Sequence, residues 1–222
     1  CGKKYDKIFM QLNDLHRKGW YQLKEEEDIY KYEREFWSDC TNTFWEEQKQ
    51  YKYAELMGID EYYSYFNVHG KSILDIGGGP SSMLLRALHL NKGKVVDPIA
   101  YPDWTTERYK IKNIDVLVDC GENIDETGWD EVWIYNCLQH VKDPKKIIEN
   151  AKKAAPVLRI FEWIDIPAHE GHPHELKEHL LDEWIGGKGS VYVFSAEESR
   201  RLHTFHEGRA YYGCFDFRNQ AA

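Results

Sequence analysis

Residues 74–82 read LDIGGGPSS, an apolar run that breaks into three consecutive glycines and a proline. Met83, Leu84, Ala87 and Leu88 then recur at helical spacing, which predicts a strand, a sharp turn and a helix over 81–90. Glycines let a backbone turn left-handed and approach a ligand with no Cβ in the way. In open α/β sheets ligands bind at the carboxyl ends of the strands, where the strand order reverses. A turn of this composition therefore marks a site for a nucleotide moiety.

The rest of the chain after residue 70 fits such a sheet. SILDI (72–76), KVVD (94–97), DVLVD (115–119), EVWIYN (131–136) and VLRIFEWI (157–164) read as buried strands. Asp143-Pro144 supplies an N-cap and a first-turn proline to a helix carrying Ile147, Ile148 and Ala151. Residues 176–185 read as a helix stopped by Gly186-Gly187. SVYVFS (190–195) and RAYYGCFDF (209–217) then read as an antiparallel edge hairpin with no strong helix between its strands. Strands alternating with helices predict a doubly wound, mostly parallel α/β sheet.

Before residue 70 the periodicity is helical. Ile8, Phe9, Leu12 and Leu15 form one apolar stripe, and Ile29, Tyr32, Phe36 and Trp37 another. Thr43 with Glu46 has the form of a capping box opening a third helix, and Gly58 is its stop; no strand is expected here. The division is thus a helical cap over 1–66 and a nucleotide-binding domain over 67–222.

The turn discriminates among nucleotides. A dinucleotide fingerprint needs a third glycine where Ser82 stands, Pro80 removes a backbone N–H, and no GK[ST] follows. Asp75, two residues before Gly77, would repel a diphosphate if aimed into the pocket, but would suit a ligand bearing an ammonium group. S-adenosyl-L-methionine (SAM) has an ammonium, a sulfonium and no phosphate. Asp97, closing the next strand, can accept from both hydroxyls of a ribose.

With these residues in view, LDIGGGPSS resembles the first motif of class I SAM-dependent methyltransferases, and KVVD their second. DCGENID (119–125) is similar to the loop after their third strand, and EVWIYNCLQHVKDPKKII (131–148) to their fourth-strand motif. The likeness spans about residues 70–217. It implies seven strands in the order 3-2-1-4-5-7-6 with the last antiparallel, and SAM as cofactor. The resemblance places Asp75, Gly77, Gly78, Gly79 and Ser81 on the methionine side and Asp97 at the ribose. It places Cys120, Gly121 and Glu122 near adenine, and Asn136, Leu138 and Gln139 beneath the methionine. Two departures stand out: Ser81 where many members have glycine, and Ala155-Pro156 in place of a proline-glycine turn.

Methyl transfer from a sulfonium is an in-line displacement, so the protein aligns the acceptor, excludes water and, for O or N acceptors, takes a proton. His140, just after the fourth strand, is a candidate base. EWIDIPAHEGHPHEL (162–176) leaves the fifth strand on the pocket side. Its His172 and His174 are further catalytic candidates, and Glu162, Trp163 and His169 are candidates for acceptor contact. A solvated loop and a metal site completed by Glu162, Asp165 or Glu170 are the other readings of this segment, and no metal is assigned. Trp20, Tyr21, Tyr30, Trp37, Trp45 and Tyr53 in the cap are available to stack on a planar acceptor.

Composition narrows the partners. A net charge of −9 disfavours nucleic acid, and no apolar run reaches membrane-spanning length. Five scattered cysteines without a CxxC pair suit a reducing, cytoplasmic setting. No signal peptide is visible, although the chain begins at Cys1. The expected partner is a small-molecule methyl acceptor. An NAD-dependent oxidoreductase and a catalytically inactive SAM-binding module are the competing classes, and the sequence leaves the oligomeric state open.

Overall fold

A computed structural model of the chain describes residues 30–204 and 208–218. The apolar stripe over 8–15, Trp20 and Tyr21, and Ile29 of the second stripe lie outside them. Two helices open the described chain, α1 (Lys31–Trp37) and α2 (Cys40–Leu56). Asp39 caps α2, its carboxylate accepting from the Thr41 N–H at 2.9 Å. This corrects the capping box expected at Thr43 and Glu46, which lie one turn inside the helix and are buried. Gly58, at φ +67°, ends α2 as expected.

A short hairpin, β1 (Asp60–Tyr62) and β2 (Tyr65–Asn67), follows where no strand was expected. Its strands are three residues long and β1 is wholly exposed, so only Phe66 is fully buried and the pattern carries no apolar run. Tyr63 and Ser64 turn the chain at φ +47° and +66°.

The main sheet begins with β3 (Ser72–Ile76). After the glycine turn the expected helix over 81–90 is absent. Two 3-10 turns, Gly79–Ser81 and Met83–Arg86, run into β4 (Ala87–Leu88), which pairs in parallel with β2. Pro80 cannot donate, and Ser82 is extended (ψ 144°), its hydroxyl accepting from the Leu84 N–H at 3.0 Å and donating to the buried Asp75.

Then come β5 (Lys92–Asp97), α3 (Asp103–Ile111), β6 (Ile114–Val118), β7 (Glu131–Tyr135), α4 (Pro144–Ala154) and β8 (Val157–Ile164). Asp143 caps α4 ahead of Pro144, as the sequence predicts. The chain closes with α5 (Glu178–Ile185), β9 (Ser190–Val193), α6 (Ala196–Arg201) and β10 (Arg209–Asp216). A capping box between Ser195 and Glu198 builds α6, a helix the edge-hairpin expectation lacked. The strands pair in the order β6-β5-β3-β7-β8-β10-β9. Numbered along the chain, these seven give 3-2-1-4-5-7-6. All neighbours are parallel except β10, which is antiparallel to both β8 and β9.

Alternation along the strands divides the core between two faces. Leu74, Ile76, Ile134 and Ile160 meet Ile147, Ile148 and Ala151 of α4 and Leu181 and Ile185 of α5. Ile73, Val95, Trp133 and Phe161 meet Tyr53, Ala54 and Met57 of α2 and Tyr109 of α3. Each fully buried aliphatic side chain here contributes about 1.5–3 kcal/mol. The boundary expected at 66/67 falls inside β2, and α2 shares a core with the sheet beyond it. Among the described residues no helix is long and apolar enough to cross a membrane.

Candidate active site

The turn after β3 is built around bare backbone. Gly77 (φ +76°) has no room for a side chain, because a Cβ there would fall 2.6 Å from the Cys137 Cβ. A Cβ on Gly78 would fall 2.6 Å from the Asp75 carboxylate. Gly79 (φ +62°) donates its N–H to Asp97 at 3.1 Å, and its carbonyl accepts from the Tyr109 hydroxyl at 2.6 Å. Ser81 is buried, and its carbonyl accepts from the Gln50 amide of α2 at 2.6 Å.

Two acids flank this turn. Asp75 lies beneath the loop rather than aimed into the pocket, which corrects the expectation: it is fully buried and accepts from the Ser82 and Tyr135 hydroxyls. Burial pushes its carboxyl up to about 7, with the two hydroxyls opposing. Asp97, at the carboxyl end of β5, accepts from the N–H groups of Ile99 (2.9 Å) and Gly79 and from the Tyr101 hydroxyl (3.0 Å). Burial pushes it up to about 6 against those three donors.

Beyond β6, Cys120 is half-buried with its Sγ 3.6 Å from the Tyr30 hydroxyl. Gly121 packs against Ile76 and Ile147, where a Cβ would meet them at 2.8 and 3.0 Å. Glu122 accepts from the Lys142 and Asp143 N–H groups at 3.0 Å, tying this loop to the start of α4. Beyond β7, Asn136 turns the chain at φ +52°. The Cys137 and Leu138 N–H groups both donate to Glu162 at 3.1 Å, while the Leu138 side chain is core. Glu162 is fully buried, which pushes its carboxyl up to about 7.

A cavity of about 100 Å³ opens beside these turns. Asn136, Gln139, His140, Trp163, His169 and His172 line it from the sheet side. His169 and His172 exchange backbone hydrogen bonds across Glu170-Gly171, and this closed turn brings the rings of His140, His169 and His172 to 4.3–4.4 Å spacing. His174 lies apart from them, its Nε2 bonded to the Val141 carbonyl at 2.8 Å. Among the described residues no group of three or more His, Cys, Asp or Glu side chains is placed to hold a metal ion.

Helix α1 closes the cavity from above. Its Glu33 accepts from His140 Nδ1 at 2.9 Å and from Trp37 Nε1 at 3.2 Å. Trp37 covers Gly79, since a Cβ on that glycine would be 3.7 Å from the indole. Tyr30 and Trp37 pack on Ile99 and Tyr101, and Tyr32 lies against Gly171. His140 also donates through Nδ1 to the Gly171 carbonyl at 2.7 Å. Burial opposes its charged form, but Glu33 and that carbonyl outweigh it, so the imidazole is shifted upward. Trp45 stacks on His203, and Tyr53 stacks on Phe161 in the core.

The cavity also takes Glu46 and Lys49 from α2. They pair at 3.0 Å with side-chain exposures of 6% and 7%, and Asn136 Nδ2 is 3.3 Å from Glu46. Sequence reading missed this pair. The available signal was the spacing of Thr43, Glu46, Gln50 and Tyr53, a polar stripe on one helical face.

No protein-family model matches the sequence, and no curated protein does. Solved structures do match. One is a SAM-dependent methyltransferase from Thermotoga maritima, 12% identical with a TM-score of 0.53, over 81% of this chain and 95% of that one. Another is a chain from the complex between the Haloferax volcanii Trm112 methyltransferase activator and a methyltransferase (12%, TM-score 0.57, 88% and 99%). A third is the N-methyltransferase NodS from Bradyrhizobium japonicum in complex with S-adenosyl-L-homocysteine (12%, TM-score 0.52, 76% and 87%). Identities this low speak for the fold: the chain has the fold of class I SAM-dependent methyltransferases.

Proposed function

We propose that the chain is a SAM-dependent methyltransferase acting on an oxygen or nitrogen atom of a small molecule. One observation carries this reading beyond the fold. The glycine turn opens 3-10 turns and not an α-helix, so no helix N-terminus faces the pocket to receive a diphosphate. Its Gly79 N–H is spent on Asp97, and Pro80 has none to offer. What remains is a turn whose Gly77, Gly79 and Ser82 N–H groups are already bonded, flanked by the two buried acids Asp75 and Asp97. That environment favours a cationic nucleoside over an anionic dinucleotide.

The residues fit the cofactor in detail. A carboxylate offers about four lone-pair positions, and Asp97 uses three, which leaves one on Oδ2 for a ribose hydroxyl. In this reading the bare glycine turn gives the methionine end close approach, and Cys120, beside Tyr30, takes the adenine side. Tyr30 and Trp37 now cover this path, and the cavity of about 100 Å³ is below the ~300–1,000 Å³ usual for small-molecule sites. Binding therefore moves α1 outward.

The cofactor supplies a methyl group already activated on sulfur. The chain's residues orient, dry and deprotonate. Glu162 fixes the amides of residues 137 and 138, which sets Asn136, Gln139 and His140 at the cavity wall. His140 donates through Nδ1 to Gly171, so its Nε2, which accepts from the Gln139 amide at 3.2 Å, is the nitrogen that takes the acceptor's proton once the acceptor displaces that amide. Trp163, His169 and His172 wall the acceptor space, and His174 holds the loop through Val141.

Calorimetry with S-adenosylhomocysteine against NADH tests the cofactor, and labelled SAM with a metabolite extract tests the activity. His140→Ala is expected to lower turnover roughly 10²–10⁴-fold with cofactor affinity retained. NADH binding with no response to S-adenosylhomocysteine would overturn the proposal.

A further inference from the structure

We propose that Glu46 and Lys49 of α2 form a subsite for the zwitterionic amino-acid end of the cofactor. Lys49 takes the carboxylate and Glu46 the ammonium. The inference rests on the SAM reading above and adds two binding residues from outside the sheet.

Placement comes first. Glu46 contacts Asn136 at the turn after β7, and Gln50, on the same face of α2, bonds the Ser81 carbonyl at the turn after β3. β3 and β7 are neighbours in the sheet, so Glu46 and Gln50 bridge the two turns that would enclose the methionine moiety, with Lys49 paired to Glu46 between them. Both side chains also line the cavity that reaches His140 and Trp163.

The electrostatics point the same way. A buried ion pair costs more in desolvation than a well-packed apolar pair, so it is a poor device for merely fastening a helix. α2 nonetheless turns Thr43, Glu46, Lys49 and Gln50 inward, where the Met57 end of the same face is apolar. A free α-amino acid end carries one charge of each sign. Entering beside the pair, it exchanges one internal salt bridge for two with the ligand, and no charge is left buried alone. A neutral or singly charged ligand end offers no such exchange. The two side chains stand 3.0 Å apart, close enough for both to reach one zwitterionic group.

Two probes separate this role from helix fastening: S-adenosylhomocysteine, which has the amino-acid end, and 5′-methylthioadenosine, the same nucleoside thioether without it. In the full chain, Lys49→Met is expected to weaken S-adenosylhomocysteine roughly ten- to hundredfold. Methylthioadenosine affinity stays within about twofold and reports that the variant is folded. Glu46→Gln follows the same pattern, and Lys49→Arg recovers part of the loss. If Lys49→Met weakens both probes equally, or neither, the pair is structural and the inference is overturned. A wild-type chain that binds neither nucleoside removes the cofactor reading itself, and this subsite with it.

Discussion

The Glu33 carboxylate of α1 and the His140 ring at the end of β7 stand 2.9 Å apart, and this contact spans the mouth of the cavity. The groups facing His140 are Glu33 and the Gly171 carbonyl, with Glu162 behind and the His172 ring at 4.4 Å. Its folded pKa is raised, so the contact is fully present below the ordinary histidine value of 6.5 and is lost as pH rises through the folded value. Amide protection factors in residues 31–37, taken relative to the intrinsic exchange rate at each pH, are therefore expected to fall above neutrality. Glu33→Gln should show low protection that does not change with pH; a protection profile unchanged by that substitution would separate α1 opening from His140.

Trp37 covers the glycine turn that the proposed cofactor must reach. A site filled by its own chain binds ligand more weakly by the fraction of time it is open. Trp37→Ala is expected to tighten S-adenosylhomocysteine on the order of tenfold, read by calorimetry. A weaker complex would instead make Trp37 a wall of the bound site.

At the opposite end of the strands, Glu131 accepts from Lys71 (2.6 Å), Trp133 Nε1 (2.9 Å) and Arg159 Nε (2.7 Å). Arg159 in turn donates to the Met57 and Gly58 carbonyls at the end of α2. Burial opposes the Glu131 charge, yet Arg159 and Lys71 hold the carboxyl below its ordinary value. Glu131→Gln leaves both cations underpaired and should lower the unfolding free energy by about 3 kcal/mol. Urea unfolding measures it, and a loss near zero would mean that Lys71 and Arg159 are satisfied without the Glu131 charge.

The sheet was legible because its strands are short apolar runs bounded by turn residues, and because Asp143-Pro144 and Gly186 punctuate the helices. The glycine turn and Asp97 were legible for the same reason, since backbone freedom and strand-end acids leave local marks. What failed needed tertiary information. Ser82 reads as a helical residue until Asp75 and Tyr135 are brought beside it. α2 turns Glu46, Lys49 and Gln50 inward ahead of Tyr53, Ala54 and Met57, so that part of its buried face has no apolar pattern to find. The three adjacent histidines come together only when the Gly171 turn closes and β7 brings His140 alongside.

Three carboxyls in and under the site, Asp75 (about 7), Asp97 (about 6) and Glu162 (about 7), are raised, burial being the largest cause in each. The folded protein thus holds protons that the unfolded chain, with values near 3.8 and 4.5, has released. These three groups contribute stability that falls as pH rises from about 4 to 7, opposite in sign to the contribution of a lowered carboxyl such as Glu131. Asp75→Asn should remove part of that slope, roughly 4 kcal/mol at most, as read from thermal unfolding at pH 5 and pH 8. The same acids bear on the ligand. A sulfonium at the turn favours their ionised forms, whereas a neutral thioether does not. The affinity of SAM relative to S-adenosylhomocysteine should therefore climb between pH 6 and pH 8, and flatten in Asp75→Asn. A ratio that is constant in the wild type would mean that these buried charges do not feel the methyl donor, and that cofactor choice at this turn is made by shape.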